Sequence, residues 1–204
     1  MKSKVITISR EFGSGGRELG KRIAEELGYA YYDREVVKEV AKRMEKEEDY
    51  VSAAFEKGVF LGIPIQYNQT TAYVSPQGQD KIDLVIEAKN LLTDLAAKGN
   101  CVIVGRAASV LLQEFQPFNV FVHADMAHRV QRYKERSQEQ ENCSRKELEA
   151  KIRQMDEDRA RYYSLVSKGE WGDKNGYHLC VNTTGKEIEQ LAPMVAAYAK
   201  AWLE

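Results

Sequence analysis

Cysteine is scarce in this 204-residue chain: Cys101, Cys143 and Cys180 are far apart, and two of them sit inside apolar runs where any small hydrophobe would serve. That spacing offers neither a zinc site nor a disulfide framework. An excess of either charge is also missing, since 30 Lys and Arg face 31 Asp and Glu, which argues against a general nucleic-acid surface. Long apolar runs are absent as well. The apolar run after the basic Met1-Lys-Ser-Lys opening is about four residues long, and no other stretch approaches the roughly 20 residues that a spanning helix needs. The expectation is a cytoplasmic protein with no membrane partner. What is present, ordinary apolar content with abundant charge of both signs, suits one globular domain over residues 1–204 with a good core.

A further absence lies inside the most informative stretch, Val5 to Gly20. There an apolar run breaks into clustered glycines and then into a helical pattern, with Leu19, Ile23 and Leu27 recurring and Gly28 as a C-terminal stop. Glycines let successive backbone N–H groups turn toward one anion, and the following helix adds its partly positive N-terminus, so this order builds a phosphate cradle. A formal Walker A opening, Gly15-x-x-x-x-Gly20-Lys21, is followed by Arg22 where Ser or Thr is wanted for magnesium. That register would also bury its lysine position deep in the helix. The better register starts the loop at Ser9 or Arg10, turns through Gly13, Ser14, Gly15 and Gly16, and opens the helix with Arg17 and Glu18. The usual Lys-Ser/Thr pair is then lacking. Arg17 is the nearest cation, and Glu18 or Ser14 the nearest oxygen for a metal whose ligands stay unassigned. Two rival readings remain: a tight connection with no ligand, and a dinucleotide fingerprint whose third glycine is replaced by Glu18.

Along the chain, strand and helix patterns alternate. Apolar or β-branched runs at Val5 to Ile8, Ala30 to Tyr32, Cys101 to Val104, Val120 to Val122 and Leu179 to Val181 predict a parallel sheet with helices on both faces. Ile82, Val85, Ile86, Lys89, Leu92 and Ala96 mark one amphipathic helix that Gly99 ends. Ser144-Arg-Lys-Glu147 reads as a capping box, and Thr184-Gly-Lys-Glu187 as another opening the last helix. Pro193 should kink that helix or delay its start. From about Asp49 to Gln79 the pattern dissolves into Gly, Pro, Gln and Tyr, as in a substrate-covering insert. From Arg129 to Tyr163 arginine recurs, either as a solvated helix face or as cations that close over transferring phosphoryl groups.

The opening ISREFGSGGRELG, Tyr31-Tyr32-Asp33, Val102 to Arg106, the run Asp156 to Tyr163, Trp171-Gly-Asp173 and Tyr177 to Asn182 resemble, in order over nearly the whole chain, the cytidylate-kinase-like family. The resemblance implies a P-loop NTPase three-layer α/β fold, with a five-stranded parallel sheet, an acceptor insert near 49–79 and an arginine-rich helical lid near 129–163. It implies ATP and Mg2+ as cofactors, with Gly13, Ser14, Gly15, Gly16, Arg17 and Glu18 on the donor phosphates. Asp33 would face the acceptor nucleoside, a role that does not exclude its capping the helix from Arg34 to Ala41, and Arg106 would face the acceptor phosphate. Arg17, Arg132, Arg159 and Arg161 would be the catalytic cations. Cytidylate kinases carry Lys-Gly-Thr where this chain has Gly16-Arg17-Glu18, and acidic residues near the glycine and arginine of the third strand where it reads Val104-Gly105-Arg106-Ala107. Three functions are compatible with this pattern. One is transfer of the ATP γ-phosphoryl to CMP, dCMP or a related acceptor. The others are binding of a nucleotide or phosphorylated ligand without turnover, and phosphorylation of a non-nucleotide small molecule.

Overall fold

The computed structural model describes residues 3–57, 76–136 and 143–204. Five strands, β1 (Val5–Arg10), β2 (Ala30–Tyr32), β3 (Cys101–Val104), β4 (Phe118–His123) and β5 (Leu179–Asn182), form one parallel sheet in the order β2-β3-β1-β4-β5. A strand covered on both faces must be apolar throughout, and Val5 to Ile8 at the centre are buried without a break. Alternate side chains go to opposite layers. Ile6, Ile8, Val102, Val104, Val120 and Val122 pack with α1 (Gly16–Leu27) and α8 (Ile188–Leu203). Val5, Cys101 and Ile103 face α2 (Arg34–Arg43), α3 (Glu48–Lys57), α4 (Pro76–Ala97), α5 (Ala108–Leu111) and α7 (Arg145–Val166). The remaining helix, α6 (Met126–Arg136), packs on α7. With β3 and β4 on opposite sides of β1, the crevice for a ligand opens at the carboxyl end of β1.

The Ser144 capping box forms as the sequence predicts, Ser144 N–H donating to Glu147 at 2.8 Å and Glu147 N–H to Ser144 Oγ at 3.3 Å. Its counterpart at Thr184 does not. α8 begins only at Ile188, and Glu187, at its N-cap, makes no side-chain cap. Thr184 Oγ1 instead accepts from Asp125 N–H at 2.9 Å, while Thr184 N–H donates to Asn182 Oδ1 at 3.0 Å. A tertiary tie to the β4–α6 turn has taken the hydroxyl that a local cap would use. The late start is one of the outcomes Pro193 suggested, although Pro193 still falls inside the helix. The insert expected from Asp49 to Gln79 also needs correction. Residues 49–57 continue α3, burying Val51, Ala54 and Phe55, and 76–79 open α4; only 58–75 lie outside the described residues.

At the β4–β5 end of the sheet His178 replaces one ladder bond with its ring. Asn119 N–H donates to His178 Nδ1 at 2.9 Å, and the ring stacks on Phe118 and lies 4.3 Å from the Trp202 centroid. Burial lowers the pKa of His178 below its ordinary value. A depressed pKa contributes stability that is fully present above the unfolded value, near 6.5, and lost as pH falls through the folded one. Urea midpoints of the wild type are therefore expected to drop from pH 7.5 to pH 5.5 by more than those of His178→Gln, which has no proton to gain there. Equal drops would show that the imidazole is not the group responsible.

Candidate active site

The loop after β1 owes its shape to its glycines. Gly13 and Gly15 have φ of +79° and +82°, and an added Cβ would stand 2.7 Å from the Arg129 carbonyl oxygen at position 13 and 2.6 Å from Ile188 Cδ1 at position 15. Gly15 caps α1, whose ladder starts with Leu19 N–H donating to the Gly15 carbonyl at 2.9 Å. The amides of Gly16, Arg17 and Glu18 therefore precede the ladder and point out of the helix start, the arrangement that receives an anion. Ser14 does not join them. Its N–H and Oγ both donate to the Glu11 carbonyl, at 3.3 and 2.9 Å, and the residue is fully buried. Expected as a cradle amide and a candidate metal oxygen, Ser14 instead braces the loop from inside.

Two arginines of α6 fasten this loop. Arg129, 5% exposed, donates from Nε to the Phe12 carbonyl at 2.7 Å and reaches both Asp156 of α7 and Glu11. Asp156 in turn accepts from Phe12 N–H at 2.7 Å. Burial pushes the Asp156 carboxyl up, outweighing the opposing pull of Arg129. Arg132 donates to the carbonyls of Ser14, Thr183 and Lys186 and to Thr183 Oγ1, at 2.8 to 3.2 Å. Most of its guanidinium hydrogens are thus committed to the frame beneath the loop, which fits a strut better than the mobile lid cation expected from sequence.

Above the loop lies a cavity of about 440 Å³, and Gly13, Gly15, Gly16, Arg17, Asp33, Arg106, Arg132 and Arg159 all line it. Ser14, Glu18 and Arg161 do not. Arg161 pairs with Asp158 of its own helix at 3.0 Å. Glu18 is held by Arg136 at 2.5 Å and Arg22 at 3.1 Å. Asp33, 3% exposed, makes no cap bond to α2; its Oδ2 lies 2.5 Å from Arg17 Nε. Arg159 donates to the Arg10 carbonyl at 3.1 Å with its guanidinium over the Phe12 ring. Arg106 stands over Phe55 and, with Ala107, adopts left-handed backbone at φ +53° and +48°, which non-glycine residues rarely do outside constrained loops.

The cavity also contains residues that sequence reasoning had not picked: Arg10, Arg34, Tyr133 and, from within the arginine run, Arg136. For Arg10 a signal existed, as it is the last strand residue on the carboxyl edge where such crevices open. The only carboxylates among the described lining residues are Glu11 and Asp33, so the field is strongly positive. Among the described residues no three His, Cys, Asp or Glu come together as a metal cluster, and no helix is long and apolar enough to cross a membrane. Magnesium is often held by one or two carboxylates plus substrate phosphates, so the donor set here, Glu11, Asp33 and the nearby Glu18, fits a metal carried in on a nucleotide.

The fold is shared with solved kinases. An uncharacterized protein from Eubacterium ventriosum is 22% identical, with 97% of this chain and 99% of that one covered at a TM-score of 0.67. A gluconokinase from Sinorhizobium meliloti is 14% identical, covering 99% and 94% at 0.56. A shikimate kinase from Acinetobacter baumannii, in complex with shikimate, is 15% identical, covering 98% and 93% at 0.51. No curated protein matches. Residues 5–185 match the cytidylate kinase-like family, and the chain belongs to it.

Proposed function

We propose that the protein transfers the γ-phosphoryl group of ATP, with magnesium, to an anionic small-molecule acceptor, CMP or dCMP being the acceptor that family membership puts first. One observation carries this reading: the glycine cradle at the start of α1 and arginines from β1, α1, α2, α6, α7 and the loop after β3 line a single cavity. The amides of Gly16 to Glu18 and the side chain of Arg17 would receive the donor phosphates. Magnesium would neutralise the phosphate oxygens, held by Glu11, Asp33 or Glu18. Asp33 and Arg106 would hold the acceptor, Asp33 accepting hydrogen bonds from an amino or hydroxyl group. An acceptor phosphate is already a nucleophile at neutral pH. Positioning and charge neutralisation then carry the rate, with no general base required. Phosphorylation of a non-nucleotide acceptor is the second reading, supported by the shared fold with a gluconokinase and a shikimate kinase.

A coupled ADP-release assay across the ribonucleoside and deoxyribonucleoside monophosphates, with gluconate and shikimate beside them and ATP binding followed by calorimetry, tests the proposal. Turnover with CMP or dCMP is the expected result. Turnover with a hydroxy acid alone would favour the second reading. ATP binding without any turnover would leave a nucleotide-binding protein, to which the missing lysine and hydroxyl already point.

A further inference from the structure

The end of the sheet remote from the glycine loop carries a second cavity, of about 890 Å³. Lys4 stands just before β1, Pro117 just before β4 and His178 just before β5, so the cavity lies at the amino ends of these strands. The six residues of β1 span about 20 Å between it and the crevice beside Arg10. A molecule bound here does not reach the cradle. We infer that this cavity is a second binding site, for an uncharged planar heteroaromatic molecule of nucleoside size, recognised by its ring face and its hydrogen-bond acceptors.

Two donors in the wall lack acceptors. Ser109 of α5 is 5% exposed, and its buried Oγ has no hydrogen-bond partner among the described residues. Leaving such a hydroxyl unmatched costs about 1–3 kcal/mol. His178 supplies the other. Because its Nδ1 already accepts from Asn119 N–H, the neutral ring carries its proton on Nε2, for which no acceptor stands among the described residues. Burial holds the imidazole pKa below its ordinary value, so at neutral pH the ring is this uncharged tautomer. The crevice at the other end of the sheet uses neither group.

The chemistry of the wall narrows the occupant. Phe115, Tyr163, His178 and Trp202 bring four aromatic side chains to the cavity, and Trp202 keeps 43% of its surface exposed. Exposed ring faces of this kind are stacking platforms for flat molecules. Lys4 and Glu204, of opposite sign, are the only formal charges among the described lining residues, so no net field draws an anion in, in contrast to the arginine-lined crevice. Phosphorylated ligands are thereby disfavoured. A purely apolar ring would leave the Ser109 hydroxyl and His178 Nε2–H without acceptors, whereas ring nitrogens or carbonyl oxygens would receive both. The volume falls within the range of small-molecule sites, about 300–1,000 Å³.

Trp171 and Trp202 are the two tryptophans of the chain, so in a Trp171→Phe background indole fluorescence reports on this cavity. Titration of that protein with cytidine, adenosine and nicotinamide, with and without saturating ATP analogue, tests the site. A saturable change with at least one of the three, unaltered by the analogue, is the expected result, and the 5′-monophosphate of a nucleoside that binds should bind more weakly than the nucleoside. Adding Ser109→Ala is expected to weaken binding about tenfold. Its urea midpoint should hold or rise, because an unmatched buried hydroxyl has gone, and that result separates lost affinity from lost folding. No saturable change with any of the three, loss of the signal when the analogue is present, or unchanged affinity in Ser109→Ala would overturn the site. Tighter binding of the monophosphate than of its nucleoside would overturn the uncharged class.

Discussion

Arg129→Ala should cost about 3–5 kcal/mol of stability, the range for breaking a buried ion pair from one side. The guanidinium is almost wholly buried and reaches Asp156, Glu11 and the Phe12 carbonyl, so its loss strands a carboxylate that burial already disfavours and frees a carbonyl. Both ends of the loop frame would loosen, since Asp156 also holds Phe12 N–H. Denaturant unfolding measures the effect, and Arg129→Lys, which keeps the charge but loses the fork, should recover only part of it. A loss below about 1 kcal/mol, the value of an exposed pair, would mean that this cluster does not hold the loop.

Arg17→Ala should affect the reaction rather than the fold. If Arg17 replaces the missing lysine, its removal is expected to cost about 2–4 kcal/mol of transition-state stabilisation, read as a fall in kcat/KM of roughly 30- to 1000-fold. The side chain is about half exposed and rests on Asp33 across the mouth of the cavity, from which a bound phosphate could draw it. Lys21→Ala is the control. Lys21 faces solvent beside Glu25 at 3.7 Å, and its loss should barely register. The opposite ranking would place the phosphate cation at Lys21 and return the loop to the Walker register, while small equal effects would exclude both.

Much of this molecule was legible in the sequence because it depends on local rules. The run from Val5 to Ile8 signals a doubly covered strand, and Gly13 and Gly15 occupy the positive-φ positions where the loop approaches Arg129 and Ile188. Ser144 and Glu147 lie close enough to cap each other with no help from elsewhere. What was illegible depends on distant partners. Thr184 looks like a cap until Asp125 claims its hydroxyl, and Val51, Ala54 and Phe55 carry a helix pattern that the composition after Lys57 obscures. Spacing within an arginine run gives no sign that Arg132 runs under the loop, Arg159 enters the cavity and Arg161 turns back on Asp158. Arg10, read from sequence as the start of the loop, is instead the last residue of β1, and its side chain reaches the crevice.

The Arg132 strut has a bearing on the order in which the protein is made. Ser14 stands near the beginning of the cradle, yet its carbonyl receives Thr183 Oγ1 at 2.6 Å across 169 positions of chain, and Arg132 joins the same knot. Contacts so remote are the last a growing chain can form. The cradle sequence leaves the ribosome early but lacks its supports until β5 has been translated and docked. On the proposed function, nucleotide affinity would therefore come late in biogenesis, as a mark of a finished molecule rather than of its first few elements.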